Sequence, residues 1–370
     1  MLKKLRILGA SLITLTLLFV PGMCQAAETV NNADTLNFSI SQAYDMALKN
    51  SDTLQQDDLS IQKSDEVKKF KDERVIGVGS PAADAAFLLA VSASISQQMA
   101  GKTKTVDQDK LLLEVITDYT NLLAAEEDYS YNEKYIGYAK SKWKADSLSY
   151  SLGLKSRFDR NSAEATYKSA QANYDLSKLA LEKAYENFNS LLGLAITARP
   201  VLTEKPAYIV YEVDNLDIAI RRAMDQNPTI WNLQQQANLA NLSTNMVDVN
   251  STSLKASMID AQKAQLAVYN TSEGTENALR GTYNGIKQLE QTYVTLEQQL
   301  ATYQDAEKNA KVMYDIGMST KNDYSLAQLN MLKAQKTLNS TIYRHEIMKI
   351  GFEKPWAYTA SSAGATSEAN

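Results

Sequence analysis

The chain has 370 residues, 44% of them hydrophobic, and its formal net charge is −5. It contains only 14 Gly and 6 Pro, too few for a β-sandwich, a propeller or another turn-rich fold, so the composition predicts a mostly helical protein. One His and one Cys exclude a Cys/His metal cluster, a disulfide framework and a Cys–His nucleophile pair. The acidic balance argues against nucleic-acid binding, which needs a basic surface stripe.

Residues 1–26 are predicted to be a secretory signal peptide. Three basic residues among the first six precede the apolar stretch 7–20, which is shorter than the span of about 20 residues that crosses a membrane. Small residues indicate cleavage after Ala26, so we expect an exported protein of the cell envelope. A lipid anchor on Cys24 is the alternative, but the residues before that cysteine fit a lipoprotein signal poorly.

The body of the chain contains one unit twice. Residues 43–54 align with 219–230 at an offset of 176 positions, and residues 150–159 align with 314–323 at an offset of 164. Two matches in the same order indicate an internal duplication. The predicted organisation is a signal peptide at 1–26, a first repeat at 27–204, a second repeat at 205–356 and a disordered tail at 357–370.

Each repeat carries the spacing of a coiled-coil seam. Between positions 163 and 191, small and apolar residues recur at alternating steps of four and three, and the same steps run from 327 to 352. This pattern predicts helices of about 40 residues, or roughly 60 Å, that pack side by side. His345 lies on the second seam, where we expect a core or interface residue rather than a metal ligand.

A Tyr-x-x-Gly turn is predicted to join the long helices of each repeat. Gly153 and Gly317 suit the left-handed position that ends a helix. Ser156 and Thr320 can cap the next helix, and the aspartate three residues later favours the positive end of that helix. The predicted fold is therefore all-α: two tandem repeats of long antiparallel coiled-coil hairpins, with little or no β-structure.

Nothing in the sequence indicates an enzyme. A Ser/His/Asp set and a glycine-rich phosphate loop cannot be assembled from it, and no pattern brings paired carboxylates into an apolar cleft. We therefore expect a protein without catalytic residues, metal site or cofactor.

Several motifs occur in a fixed order along 36–355, nearly the whole mature chain. They are the openings at 47–52 and 223–228, the stretch 114–125, the two glycine turns and the closing motif 191–194. Their order and duplication resemble the TolC family of outer-membrane efflux proteins. The resemblance implies a homotrimer that forms an α-helical tunnel in the outer membrane or periplasm. It also implies a periplasmic adaptor (membrane fusion) protein and an inner-membrane pump as partners in efflux or type I secretion.

By this resemblance the two glycine turns are entrance tips that dock the adaptor. Without the resemblance, the same residues can be interpreted simply as the C-cap of one helix followed by the N-cap of the next. The docking interpretation and the cap interpretation both remain open at this point. The candidate docking residues are Gly153, Leu154, Ser156, Asp159, Gly317, Met318, Thr320 and Asp323.

One feature of the family is missing from this sequence. The family inserts strands between the long helices of each repeat, and those strands build a β-barrel. Here that interval is short, and it contains no pair of segments of about ten residues with alternating polarity, so we expect the strands to be absent or much reduced. The alternative function is therefore a barrel-less helical bundle that acts as a structural spacer or interaction protein of the envelope.

The interval 75–100 carries a single charged residue, Asp84. It is interpreted either as a packed helix at the closed end of the bundle, as an apex that touches a membrane or plugs the trimer, or as a short strand hairpin. The candidate membrane-facing residues are Phe87, Leu88, Leu89 and Val91.

Overall fold

The structure, a computed structural model, describes residues 36–75, 81–246 and 253–358. The predicted signal peptide and the tail from residue 359 onward lie outside the described residues.

The described residues form eight helices and two strands of two residues each, which confirms the all-α prediction. The elements are β1 (Asn37–Phe38), α1 (Ile40–Asn50), α2 (Asp52–Asp72), α3 (Pro81–Ser151), α4 (Arg157–Leu192), β2 (Val201–Leu202), α5 (Leu216–Gln226), α6 (Pro228–Thr244), α7 (Leu254–Asp315) and α8 (Lys321–Glu353).

The order short helix, second helix, long helix, long helix occurs twice, which confirms the predicted duplication. α5 begins and ends 176 positions after α1, and α8 begins 164 positions after α4. Side-chain caps set several of these boundaries: the Ser51 hydroxyl accepts from the Leu54 amide at the start of α2, and the Asn227 side chain caps α6 in the same place. Pro228 occupies the first turn of α6, where its missing N–H costs nothing.

Two of the helices are much longer than the 40 residues expected. α3 has 71 residues and α7 has 62, which correspond to about 105 Å and 93 Å. The seam pattern predicted only the part of each helix that pairs with α4 or α8. Each of these helices also extends on the N-terminal side of its seam. That additional stretch packs on α2 in the first repeat and on α6 in the second.

Each long helix folds back against the next one. α3 packs along α4 to form hairpin 1 (81–192), and α7 packs along α8 to form hairpin 2 (254–353). α3 also contacts α8, so the two hairpins lie side by side. All predicted seam positions from 163 to 191 and from 327 to 352 are buried or half-buried, and His345 is 2% exposed, which confirms that it is a core residue.

The largest cores lie where α4 and α8 end, against the middle of α3 and α7. In the first repeat, Phe188 is fully buried and meets Phe38 and Tyr119 edge-on, with a ring-centroid distance of 5.9 Å to Tyr119. β1 and β2 pair in parallel over this core, and the Tyr119 hydroxyl donates to the Phe38 carbonyl at 3.0 Å. In the second repeat, Phe352 meets Tyr211 edge-on at a ring-centroid distance of 5.8 Å. It also lies 5.9 Å from Tyr283, with the two rings tilted by 49°.

The apolar interval that begins near residue 75 is helical wherever it is described from Pro81 onward. The strand-hairpin interpretation is therefore wrong for 81–100, and residues 76–80 lie outside the described residues. Proline suits the first turn of a helix, which explains why α3 begins at Pro81. Ala83, Ala90 and Ala93 are buried in this part of α3, which agrees with a packed helix. None of the described helices combines enough length and apolar character to traverse a membrane.

Candidate functional site

The two glycine turns have the same backbone geometry. Gly153 has φ +74° and Gly317 has φ +76°, in the left-handed region where a side chain would be strained. The Gly153 amide donates to the Tyr150 carbonyl at 3.0 Å, and the following amide reaches back to close the last turn of α3. The Gly317 amide donates to the Tyr314 carbonyl at the same distance. Each glycine therefore ends one long helix and reverses the chain.

A capping box starts the helix after each turn. The Ser156 hydroxyl accepts from the Asp159 amide at 3.1 Å, and the Asp159 carboxylate accepts from the Ser156 amide at 3.1 Å. Thr320 and Asp323 make the same pair of bonds at 3.2 and 3.1 Å. The serine and threonine hydroxyls hold the pKa of both exposed aspartates below the usual range. The cap interpretation is thus realised in the structure, and both tips carry an ionised carboxylate.

Apolar side chains crowd the surface of both turns. Leu154 is 76% exposed and Met318 is 71% exposed. The sequence prediction named these two and missed three neighbours that are equally open: Leu152, Phe158 and Ile316. Leu152 and Ile316 directly precede a turn glycine, and that position was the available signal for these two. Exposed apolar residues grouped in this way are typical of a surface that another molecule covers.

The two turns lie at the same end of the molecule. Asp323 at the start of α8 is close enough to α3 to raise the pKa of Tyr138, although burial is the main cause of that rise. Tyr138 lies 15 positions before Gly153 on α3, or about 22 Å along a helix. The tip of hairpin 2 therefore lies beside α3, about 22 Å from the tip of hairpin 1.

A groove of about 500 Å³ runs between the hairpins just above the second turn. It separates α3 from α8, so the sequence prediction could not find it without knowing that these two helices are neighbours. Its walls consist of Lys134, Gly137, Tyr138 and Ser141 from α3, and Lys321, Asn322, Ser325, Gln328, Leu329, Met331 and Leu332 from α8.

A buried carboxylate ties the first turn to its helix. Asp146 on α3 binds Lys142 at 3.2 Å and also pairs with Lys155, which lies beyond the turn. Burial alone would raise the pKa of Asp146, but the hydrogen bonds from the two lysines outweigh it and hold that pKa below the usual value. The turn of hairpin 1 is therefore fixed by an ion pair as well as by its caps.

The candidate apex lies far from the tips, close to the start of α3. Phe87 and Leu89 are exposed, whereas Leu88 and Val91 are half-buried. Phe87 and Ser151 belong to one continuous helix, so about 96 Å separates the apex from the tip. Among the described residues, no group of three or more His, Cys, Asp or Glu side chains is arranged to hold a metal ion.

No family model matches the chain, and no curated protein sequence matches it. Solved structures do match. A membrane protein from Pseudomonas aeruginosa aligns with TM-score 0.64 and 13% identity over 86% of this chain and 93% of that one. The Campylobacter jejuni outer membrane channel CmeC aligns with TM-score 0.60 and 14% identity over 88% of both chains. The Vibrio cholerae outer membrane protein VceC aligns with TM-score 0.59 and 11% identity over 86% and 95%.

At these identities the likeness establishes the fold. The predicted resemblance to TolC-like outer-membrane efflux channels is confirmed at that level.

Proposed function

We propose that the chain is the channel component of an efflux or type I secretion system of the cell envelope. Three copies would enclose an α-helical tunnel, and the glycine tips would dock a periplasmic adaptor that connects the tunnel to an inner-membrane pump. The observation that carries this proposal is the pairing of two matched hairpin tips at one end of a pair of helices about 93 to 105 Å long. The fold shared with outer membrane channels supports it.

The surface of the long helices supports assembly into a trimer. Leu176 and Leu179 on α4 and Leu266 and Tyr269 on α7 are each about 60% exposed or more. A solitary chain would leave these apolar side chains in water, whereas neighbouring copies can bury them. Light scattering on the purified protein is expected to give three times the chain mass, and a monomer at high concentration would contradict the tunnel.

The exposed tips support docking of an adaptor. Apolar side chains surround both turns, and rigid caps hold them in place, so a partner would meet a preformed surface. At the opposite end of α3, we propose that Phe87, Leu88, Leu89 and Val91 touch the outer membrane or close the bundle. The exposure of Phe87 and Leu89 supports that contact.

The tips can be tested by substitutions that change the turn or its charge. Gly153→Pro replaces φ +74° with the fixed φ of about −65° of proline, and Asp323→Lys reverses an exposed charge. Both variants are expected to fold, as judged by circular dichroism, and to lose efflux of a fluorescent dye from whole cells. Asp305→Lys on the exposed side of α7 is the matched control for Asp323→Lys and should export normally. Normal export by Gly153→Pro and Asp323→Lys would contradict the proposal.

A second candidate is a helical spacer or interaction protein of the envelope. The described residues contain only one pair of short strands and are otherwise almost entirely helical. This composition favours the helical spacer. Cell fractionation separates the two candidates. Protein that needs detergent and sediments with the outer membrane supports the channel, and freely soluble periplasmic protein supports the spacer.

A further inference from the structure

Four helices lie in a row around the candidate apex. α2 packs on the first part of α3, α3 packs on α6, and α6 packs on the first part of α7. Within this row of described helices, α3 and α6 have neighbours on two sides, whereas α2 and α7 have one neighbour each. Because α6 is the counterpart of α2 and α7 is the counterpart of α3, the contact between α3 and α6 shows how one repeat meets the next.

The two neighbours of α3 lie on opposite sides of that helix. On the α6 side, the Lys102 ammonium lies 4.8 Å from the centroid of the Trp231 ring. On the α2 side, Lys104 forms an ion pair with Asp58. Two positions along a helix correspond to a rotation of about 200°, so Lys102 and Lys104 point away from each other. Lys102 therefore marks the side of α3 that α6 covers.

The matching side of α7 is open. Six positions of α3 within about 120° of the helix circumference around Lys102 are half-buried, and their six counterparts on α7 at the 164-residue offset are all exposed. Positions 98, 101 and 105 of α3 lie outside this sector and are exposed, as are their counterparts on α7. Among the described residues, α7 therefore lacks a neighbour only where α3 has α6. The six pairs are Val91 and Lys255, Ser92 and Ala256, Ile95 and Ile259, Met99 and Lys263, Lys102 and Leu266, and Val106 and Asn270.

α2 is open on the side that corresponds to the α3-facing side of α6. Trp231 and three further residues within about 80° of it on α6 are half-buried, whereas their counterparts on α2 at the 176-residue offset are exposed. The pairs are Trp231 and Gln55, Gln235 and Leu59, Leu239 and Lys63, and Leu242 and Glu66. Each chain thus carries both halves of one more contact of this kind, at the two ends of its row.

We infer that the open side of α7 binds α2 of a second copy of this chain, as α3 binds α6 within one copy. Transferring the contact between Lys102 and Trp231 by the two offsets places Leu266 beside Gln55 of the second copy. The contact is head-to-tail, and contacts of that type close into rings. This inference rests on the assembly of copies in the proposed function, but it involves neither the tips nor an adaptor.

The two open sides suit each other chemically. Ile259 and Leu266 on α7 and Leu59 on α2 are 44%, 59% and 65% exposed, and the contact would remove these apolar side chains from water. α7 runs toward the turns and α2 runs away from them, so the paired helices are antiparallel. In that register Lys255, 11 positions before Leu266, falls opposite Glu66 of the second copy, and the two charges are complementary.

A second copy fits this side of α7 better than lipid does. The sector contains two lysines and an asparagine between its apolar residues, a mixture that is typical of protein interfaces and costly in a hydrocarbon phase. The contact also lies in the interval where the sequence departs from the TolC family. Helices of this chain would therefore join neighbouring copies at the apex.

Cysteine crosslinking tests the contact directly. Cys24 is the single cysteine of the chain, so Cys24→Ser provides a thiol-free background for Gln55→Cys/Leu266→Cys. With a short bismaleimide, this double variant is expected to give covalent species of two and three chain masses on denaturing gels. Gln55→Cys/Gln298→Cys is the control, because Gln298 is exposed but lies about 48 Å farther along α7, and it should remain at one chain mass. Absence of crosslinks between copies of the first variant would overturn the inference.

Charge substitutions measure how much the contact contributes to assembly. Ile259→Glu/Leu266→Glu adds two negative charges to the open side and is expected to weaken self-association by about tenfold or more in light scattering of a dilution series. Gln262→Glu/Gln265→Glu adds the same charge at exposed positions whose counterparts on α3 are also exposed, and it should stay within about twofold of the unchanged protein. Circular dichroism verifies that both variants fold. Equal losses in the two variants would overturn the inference.

Three further outcomes separate this inference from its alternatives. A trimer in light scattering without a crosslink between Gln55 and Leu266 would overturn the inference and leave the proposed function intact. The crosslink together with normal export by the turn variants would support the inference and remove the proposed function. Unchanged assembly of Ile259→Glu/Leu266→Glu with loss of its binding to phosphatidylglycerol vesicles would assign this side of α7 to lipid and overturn the inference.

Discussion

The two repeats share helix boundaries but differ in the chemistry that they carry. Both hairpins end in a glycine at positive φ followed by a capping box, with hydrogen-bond lengths that agree within about 0.1 Å. The stretches around those turns, however, have opposite net charge. Backbone geometry at a turn admits few residue types, whereas an exposed helix face admits many. The comparison teaches that the turns define the shape and the helix faces define what each tip can bind.

The cores at the ends of α4 and α8 also differ between the two repeats. Phe188 packs among Phe38, Tyr119 and the helix α1, whereas Phe352 packs among Tyr211, Tyr283 and residues of α5 and α7. The first cluster is larger and includes the strand pair β1–β2. The repeats are therefore expected to contribute unequally to stability.

The largest expected effect comes from truncating these two phenylalanines. Phe188→Ala and Phe352→Ala each remove a buried ring, and such changes cost about 3–5 kcal/mol. Phe188→Ala should lie at the upper end of that range because its ring is surrounded by the larger cluster. Urea unfolding at one fixed protein concentration measures both free energies of unfolding. A larger loss in Phe352→Ala would reverse the ranking of the two cores.

Glycine substitutions are expected to have the next largest effect. Gly193 has φ +68°, and a Cβ there would lie 2.9 Å from Asn50 Nδ2, whose amide donates to the Leu192 carbonyl at 2.6 Å. Gly317 has φ +76° but open space around it. Gly317→Ala should cost about 1 kcal/mol for the strained backbone alone, and Gly193→Ala about 2–3 kcal/mol because Asn50 must also move. Equal losses in urea unfolding would show that the contact with Asn50 is not a constraint.

A pH-dependent difference is the smallest effect expected. Burial, with a smaller contribution from Glu114, raises the pKa of Asp118 to about 6, whereas its counterpart in the second repeat is Thr282. The folded pKa lies above the unfolded value of about 3.9. Protonated Asp118 therefore contributes stability that is complete below about pH 4 and is lost as the pH rises through about 6.

Asp118→Asn removes the charge and keeps the shape of the side chain. It is expected to raise the free energy of unfolding by about 1–2 kcal/mol at pH 8 and to change it little at pH 4. Urea unfolding at the two pH values makes the measurement, with Thr282→Asn as the control that should show no such pH dependence. An equal effect of Asp118→Asn at both pH values would contradict the raised pKa.

Local features of the fold could be predicted from the sequence. The seam spacing predicted the helix faces that are buried along α4 and α8, and the turn glycines and their caps were placed at the correct residues. These features depend on residues within one or two helical turns of one another. The full lengths of α3 and α7 could not be predicted in this way. The first part of each helix lacks the seam spacing, so its sequence has no period that distinguishes a helix from a strand.

The candidate site was predicted only in part. Leu154 and Met318 were named because they follow a turn glycine, while the groove between α3 and α8 was missed because its walls lie almost 190 residues apart in sequence, from Lys134 to Lys321.

The sequence by itself determined the duplicated hairpins, their turns and their caps, because short-range hydrogen bonds and helical periodicity fix those features. Only the tertiary structure decided that the two tips stand at one end, that a groove opens between α3 and α8 and that Asp118 is half-buried. Those features arise from packing between segments far apart in the chain, which local periodicity does not encode.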